Sequence, residues 1–284
     1  MNVRNTTNFK ATALNMDTLR NRAPSIFASG PMLGVSGRYT FVSTARIVEG
    51  LQELGWVPVE VEEQRIRSEA RRGFQKHLIR FRRTDQMEHL NEWNIELLLV
   101  NSHDAGCAYQ VHGGIYRKLC HNGLVLSEGS FEALRFRHAR LEPAAIMDAS
   151  FRLMEQLPNL DVRIHQFRHR LLDARESRSL AEHALGLRYP SIDVAPVDPE
   201  TLLKVQRPED EGTDLWLTMN RIQENLVYGG VSDWRRDKRN RLRSVRALRG
   251  IDSKVGLNKG LWELAERMAD GKPLAMREVQ SLTV

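Results

Sequence analysis

Four short runs between residues 56 and 111 constrain any fold of this chain: "WVPVEVEEQRIR", "FQKHLIRFRR", "WNIELLLV" and "CAYQV". In the first, Val57, Val59 and Val61 alternate with polar residues, the period-2 pattern of a strand with one packed face. Pro58 puts that strand at a sheet edge, because proline cannot donate to a ladder. A turn at Gly73 leads into the second run. "IELLLV" is too short for a buried helix and is followed by "NSHDAG", whose Asn, Ser, Asp and Gly suit the caps and positive-φ positions of a hairpin loop. His103 and Asp104 are expected to hold that turn through side-chain to backbone hydrogen bonds. "CAYQV" then returns, with Gly113 and Gly114 marking a bulge or a close backbone approach.

Helical patterns flank this antiparallel meander. After a polar N-terminal arm, "GRYTFV" reads as a short strand. "STARIVEGLQELG" reads as a helix, with Ser43 or Thr44 as N-cap, Ile47, Val48, Leu51 and Leu54 at helical spacing and Gly55 as a stop. From Pro143 the pattern is helical: "PAAIMDASFRLMEQL" up to Pro158, "LDVRIHQFRHRLLDA", "ESRSLAEHALGL", then, beyond a proline-rich acidic loop, "TDLWLTMNRIQENLVYGG". Near the end, Leu257, Leu261, Leu264, Ala265 and Met268 recur at helical spacing. The expected class is α+β, an antiparallel β-meander with packed helices followed by a mostly helical C-terminal half. The expected divisions are a polar arm over 1–30, an α+β core over 31–142, a helical region over 143–230, a basic arm over 231–252 and a C-terminal helix and tail over 253–284.

The 284 residues, 41% hydrophobic, can bury a substantial core. Lys and Arg number 42 against 36 Asp and Glu, a net charge of +6, and arginine dominates. Its planar guanidinium pairs bidentately with phosphate and stacks on bases, so a polyanionic partner is the first expectation. The first thirty residues lack a signal-type apolar core, and no run approaches the ~20 apolar residues of a membrane span. The expectation is a cytoplasmic protein without a membrane partner, its two cysteines, Cys107 and Cys120, present as thiols.

Residues 101–126, "NSHDAGCAYQVHGGIYRKLCHNGLVL", collect both cysteines and three histidines. Structural zinc needs paired ligands two to four residues apart, and Cys107, His112 and the adjacent Cys120 and His121 lack that spacing. Cys120 could pair with His103 or His112 as a nucleophile and base, but no nucleophile elbow or helix N-terminus marks it. In "HQFRH", His165 and His169 share a helical face, yet Gln166 replaces the glutamate of a zinc protease, and Arg163, Arg168 and Arg170 make the face basic. No metal, cofactor or catalytic residue is therefore assigned. Walker, dinucleotide and kinase motifs are also missing.

Basic residues interleaved with aromatics carry the remaining signal. "HLIRFRR" and "LRFRHAR" alternate arginine with phenylalanine, so one sheet face can hold charge while the other packs. Lys76, Arg80, Arg82, Arg135 and Arg137 would line that face, with Phe81 and Phe136 stacking bases or sitting in the core. "WRRDKRNRLRSVRALRG" is denser still. It reads as a phosphate-contacting arm through Arg235, Arg236, Lys238, Arg239, Arg241 and Arg243. Mutual repulsion, extending to Arg246 and Arg249, predicts a mobile segment in the free protein.

Three blocks, "GRYTFVSTARIVEGLQELGW", "LLLVNSHDAGCAYQVHGGIYRKLCHNGLVL" and "LNKGLWELAERMADG", resemble a phage-, prophage- and plasmid-encoded family designated domain of unknown function 932. The resemblance covers most of the chain. Asn101, Ser102, His103, Asp104, Arg117, Cys120 and Asn122 look like the family's pattern, whereas Gly106 follows Ala105 where the pattern has an earlier glycine. The resemblance implies a mobile-element setting and carries no catalytic residues. The order helix, meander, helices is also similar in outline to annealing proteins of the Rad52 type, which bind single-stranded DNA along a basic groove and form rings.

The expectation is a DNA-binding protein of a phage, prophage or plasmid that prefers single strands and acts in protection, annealing or recombination without catalysis, as a homo-oligomer. Two alternatives are an enzyme on nucleic acid or nucleotide centred on His103, Asp104, Cys120 and His121, and a protein-binding antagonist of host defence.

Overall fold

A computed structural model describes residues 12–87, 93–117, 123–125, 134–138 and 143–274. They fall into two compact units, Asn8–Pro158 and Asn159–Val284, of α+β class. The first is built on an antiparallel sheet. Strands β1 (Trp56–Glu63), β2 (His77–Arg83), β3 (Trp93–Asn101), β4 (Tyr109–Arg117) and β5 (Gly123–Val125) lie in that order, and β6 (Leu134–Phe136) also pairs with β4. The meander read from the period-2 runs is present. Pro58 lies on an edge strand, at a register shift between Pro58 and Glu60. Gly113 and Gly114 pair in regular register with Leu97 and Glu96, without the expected bulge.

Period-2 alternation sorts the strand residues onto two faces. One carries Ile79, Phe81, Leu97, Leu99, Val111 and Ile115, all buried. Against it lies α2 (Thr44–Glu53), which buries Ile47, Val48 and Leu51 and begins at the N-cap Ser43. "GRYTFV" precedes this helix as irregular chain with a single bridge at Tyr39 rather than as a strand. The polar arm expected over 1–30 contains helix α1 (Met16–Arg22) and a 3-10 turn, Pro24–Phe27. Leu19, Ala23 and Ile26 are fully buried there. Three apolar side chains among many polar ones were enough to dock the segment, with Asn15 Oδ1 capping α1 at Thr18 N, 2.8 Å.

Helix α3 (Pro143–His169) runs through Pro158, where two helices were expected. The passage between the two compact units falls at that proline. The second unit continues with α4 (Ala174–Gly186), α5 (Leu215–Val227), a hairpin of β7 (Ser232–Arg236) and β8 (Leu242–Ser244), and α6 (Ile251–Ala269). A capping box between Asp173 and Glu176 starts α4. Helix α5 is buried nearly all round, so its polar side chains need internal partners. Gln223 Nε2 donates to Asn258 Oδ1 at 2.7 Å, Asn225 Nδ2 to the Leu202 and Lys204 carbonyls at 2.9 Å, and Glu224 pairs with Arg207. Among the described residues no helix is long and apolar enough to cross a membrane.

The stretch expected as a basic arm over 231–252 contains this hairpin and the start of α6. The root of the hairpin is tied down where Gly230 N donates to Val245 O (2.8 Å), Val245 N to Val231 O (3.0 Å) and Leu248 N to Val227 O (2.8 Å). Gly229 makes the turn into it with φ +65°, and a Cβ there would lie 2.3 Å from the Val245 carbonyl oxygen. Gly229→Ala is therefore expected to cost about 1–3 kcal/mol in urea denaturation. In α6, Gly256 has open space around it, so Gly256→Ala should stabilise by up to about 1 kcal/mol.

Candidate functional site

Where β2, β3 and the start of α2 meet, five fully buried polar side chains form one network: Ser25, Thr44, His77, Asn101 and His103. Ser25 Oγ is 2.9 Å from His77 Nδ1. Thr44 Oγ1 receives Asn101 Nδ2 at 2.9 Å and lies 3.0 Å from His77 Nε2 and 3.3 Å from His103 Nε2. A hydroxyl has one proton and two lone pairs. With the Asn101 amide donating, one imidazole must donate to Thr44 and the other accept from it, so the two histidines hold opposite tautomers. Burial lowers the His77 pKa to about 3, aided by His103. It lowers the His103 pKa to about 4, aided by His138. Both rings are neutral at ordinary pH. Asn101 Oδ1 and His103 Nδ1 remain buried without a hydrogen-bond partner.

The loop between β3 and β4 divides the roles expected of its residues. Asp104 does hold the turn: its Oδ1 accepts from Gly106 N at 2.8 Å. Arg71 donates to its Oδ2 through Nε (2.8 Å) and Nη2 (2.5 Å). Burial works against the Asp104 charge, but these bonds prevail and its pKa is lowered. His103 does not brace the turn through its side chain, which enters the core network instead. Acid-base groups that the enzyme reading placed in one centre thus have separate partners, and Cys120 and His121 lie outside the described residues. Among the described residues no group of three or more His, Cys, Asp or Glu could hold a metal. On α3, His169 Nδ1 meets the His165 carbonyl at 2.7 Å, and His165 Nε2 is 3.4 Å from Asp161.

The second sheet face carries Arg80, Arg82 and Arg135, as alternation predicted, but not as an open basic stripe. Glu96, fully buried, accepts from Arg80 Nε (2.7 Å) and from Arg82 Nη2 (2.6 Å). The Arg80 guanidinium also lies 3.3 Å over the centre of the Tyr116 ring. A carboxylate between two guanidinium groups takes the charges that were expected to meet phosphate. Lys76 is buried and Phe81 belongs to the core. Arg135 and Arg137 are exposed and Phe136 is half-buried.

The basic hairpin separates its arginines by face. Arg235 Nη1 donates inward to the carbonyls of Ile192 (2.9 Å), Ala195 (3.2 Å) and Val197 (3.0 Å), and Nη2 is 3.7 Å from Asp198. Arg243 donates to Val194 O at 2.5 Å. Asp237 organises the turn, accepting from Arg239 N and Arg241 N at 2.8 and 2.9 Å. Arg236, Lys238, Arg239 and Arg241 are exposed. Beside them Trp234 is 76% exposed and Leu242 54%. Sequence reasoning passed over Trp234, although it opens the basic run; it also passed over Thr44, Asn101 and Glu96 as the acceptors and donors that settle the buried groups.

Two measurements check these assignments. Glu96→Gln leaves two buried guanidinium groups without their counter-charge and should cost about 3–5 kcal/mol in urea denaturation. Neutral His77 and His103 bind fewer protons folded than unfolded, so the stability they supply is complete above the unfolded pKa near ~6.5 and lost as pH falls toward the folded values. A denaturation series from pH 7 to 4 should show this acid loss, and His103→Gln should flatten it.

The sequence pattern of the family described as Domain of unknown function (DUF932) matches residues 32–262. The UPF0380 protein YafZ of Escherichia coli (strain K12) is 33% identical over 255 residues, which cover 90% of this chain and 91% of that protein. The UPF0380 protein YfjQ of the same organism is equally similar, 33% identical over 255 residues with the same coverage. No solved structure matches, so the outline likeness to Rad52-type proteins rests on element order alone. The match takes in the sheet with Thr44, His77, Asn101 and His103 of the network and the hairpin with most of α6, and on that extent the chain belongs to the DUF932 family.

Proposed function

We propose that this is a DNA-binding protein, preferring single strands, that protects or anneals them without chemistry, and that the β7–β8 hairpin is its principal phosphate-binding element. The observation that carries this reading is the sorting of charge by face. Asp198, Asp233 and backbone carbonyls engage Arg235 on the inward side, while Arg236, Lys238, Arg239 and Arg241 are exposed, Arg241 in a surface pair with Asp237 at 2.8 Å. Exposed cations at close spacing attract a polyanion and gain from counterion release when they neutralise phosphates. Arg135 and Arg137 are available to contribute separately. Arg80 and Arg82 are not part of the proposed surface, since Glu96 holds them. A role in a mobile element, in recombination or annealing, and assembly into an oligomer belong to the same proposal and follow the family resemblance.

Salt titration tests it. Replacing Arg236, Lys238, Arg239 and Arg241 by Gln should weaken binding to a single-stranded oligonucleotide irrespective of sequence and reduce the slope of log K against log salt by about 0.7 per lost contact. Thermal stability should hardly change, because these side chains are exposed. Unchanged affinity in the folded quadruple variant would overturn the proposal.

A further inference from the structure

Among the described tryptophans, Trp56, Trp216 and Trp262 are buried in the core and Trp93 is half-buried. Trp234 alone of these is exposed, at 76%. A large aromatic side chain held out in water gives up the burial that normally stabilises a fold, so its place here needs a different reason.

The backbone fixes where it points. The register of β7 shifts between Ser232 and Arg236, yet Asp233 and Arg235 are half-buried while Trp234 and Arg236 are exposed. Both half-buried residues are held firmly. Asp233 accepts from Asp198 N at 2.5 Å and from Arg235 N at 2.8 Å, and Arg235 reaches the three loop carbonyls already described. The indole is thus flanked on both sides in sequence by anchored residues, and the Arg235 guanidinium lies 5.8 Å from the centre of its ring. Leu242 pairs with Arg236 across the hairpin and extends the outward apolar surface. Arg236 lies on the same strand, its Nη1 donating to Asn240 O at 2.9 Å, and Arg241 in the turn beyond pairs with Asp237 at 2.8 Å, so the exposed indole belongs to a hairpin whose cations are held in place.

We propose that Trp234 is a base-stacking platform, with Leu242 beside it and Arg236 and Arg241 taking the adjoining phosphates, and that this platform makes the hairpin favour unpaired strands over duplex. It rests on the phosphate-binding reading above and adds the contact that distinguishes the two forms of nucleic acid. In a duplex the base faces are occupied by their neighbours, whereas an unpaired base offers its π-face to an aromatic side chain. Charge complementarity selects the polyanion, and the single indole with one leucine is too small an apolar face for the amphipathic burial that a membrane surface requires.

The test uses the full chain with a thymidine oligonucleotide, a blunt DNA duplex of equal length and phosphatidylserine vesicles. Binding of the oligonucleotide should quench the exposed tryptophan's emission. Trp234→Ala should abolish that quenching and weaken oligonucleotide binding about five- to hundredfold, with duplex binding unchanged and Trp234→Phe restoring most of the affinity. Equal losses for oligonucleotide and duplex, no loss for either, or quenching by vesicles and not by the oligonucleotide would overturn the platform. A parallel variant with Arg236, Arg239 and Arg241 replaced by Gln separates the two ideas. If it loses affinity for both DNAs while Trp234→Ala loses none, only the platform fails; if it binds both like the parent, the phosphate-binding reading fails with it.

Discussion

The Thr44 hydroxyl is the point at which the sheet unit is joined. It is the first residue of α2, and through it the helix meets His77 at the start of β2, Asn101 at the end of β3 and His103 in the loop beyond. Ser25 connects the N-terminal 3-10 turn to the same group through His77. A buried hydroxyl with three partners has no spare capacity, so the segments around it must take up one arrangement. Neutral imidazoles suit the position because they can each be donor or acceptor, and burial keeps them uncharged. A lysine or carboxylate would bring a charge into the same space without a counter-charge.

Arginine is used in two opposite ways in this chain. Arg80, Arg82, Arg207 and Arg235 are structural: each has carboxylate partners, and three of the four sit at least largely out of solvent beside Glu96 or Glu224. Their guanidinium groups make several directed bonds from one planar fork. Arg236, Arg239 and Arg241 lie within six residues of Arg235 and are exposed, Arg241 in a surface pair with Asp237. Asp237 holds the turn that presents them, and its pKa is lowered by hydrogen bonds from Arg241 and Arg239. Arg235 and Arg236 are neighbours in the sequence; what separates them is the side of the hairpin they occupy and what lies opposite.

Much of the sheet was legible because alternation is a local property. Val57, Val59 and Val61 announced β1, and Ile47, Val48 and Leu51 announced α2, since the repeat of a strand or helix is written within a few residues. The N-terminal segment was not, because Leu19, Ala23 and Ile26 are too few and too short-ranged to show a period. The continuity of α3 through Pro158 ran against the local rule that proline ends a helix. Of the candidate sites, Asp104's turn-holding bond to Gly106 followed from its residue type. The partners of His103, at Thr44 some sixty positions earlier, could not.

By itself the sequence determined the α+β class, the antiparallel meander, the helical C-terminal half and the family, because these depend on local periodicity and on residue patterns read in order. Tertiary structure decided which charges are drawn inward and which stay exposed. Glu96 lies fourteen residues from Arg82, and the acceptors of Arg235 lie some forty residues away. An ion pair or a carbonyl bond over such distances forms only after strands have paired and loops have packed. For that reason a run of arginines that looks uniform on paper divides into anchors and an exposed surface, and Trp234 becomes visible as a side chain left largely in solvent.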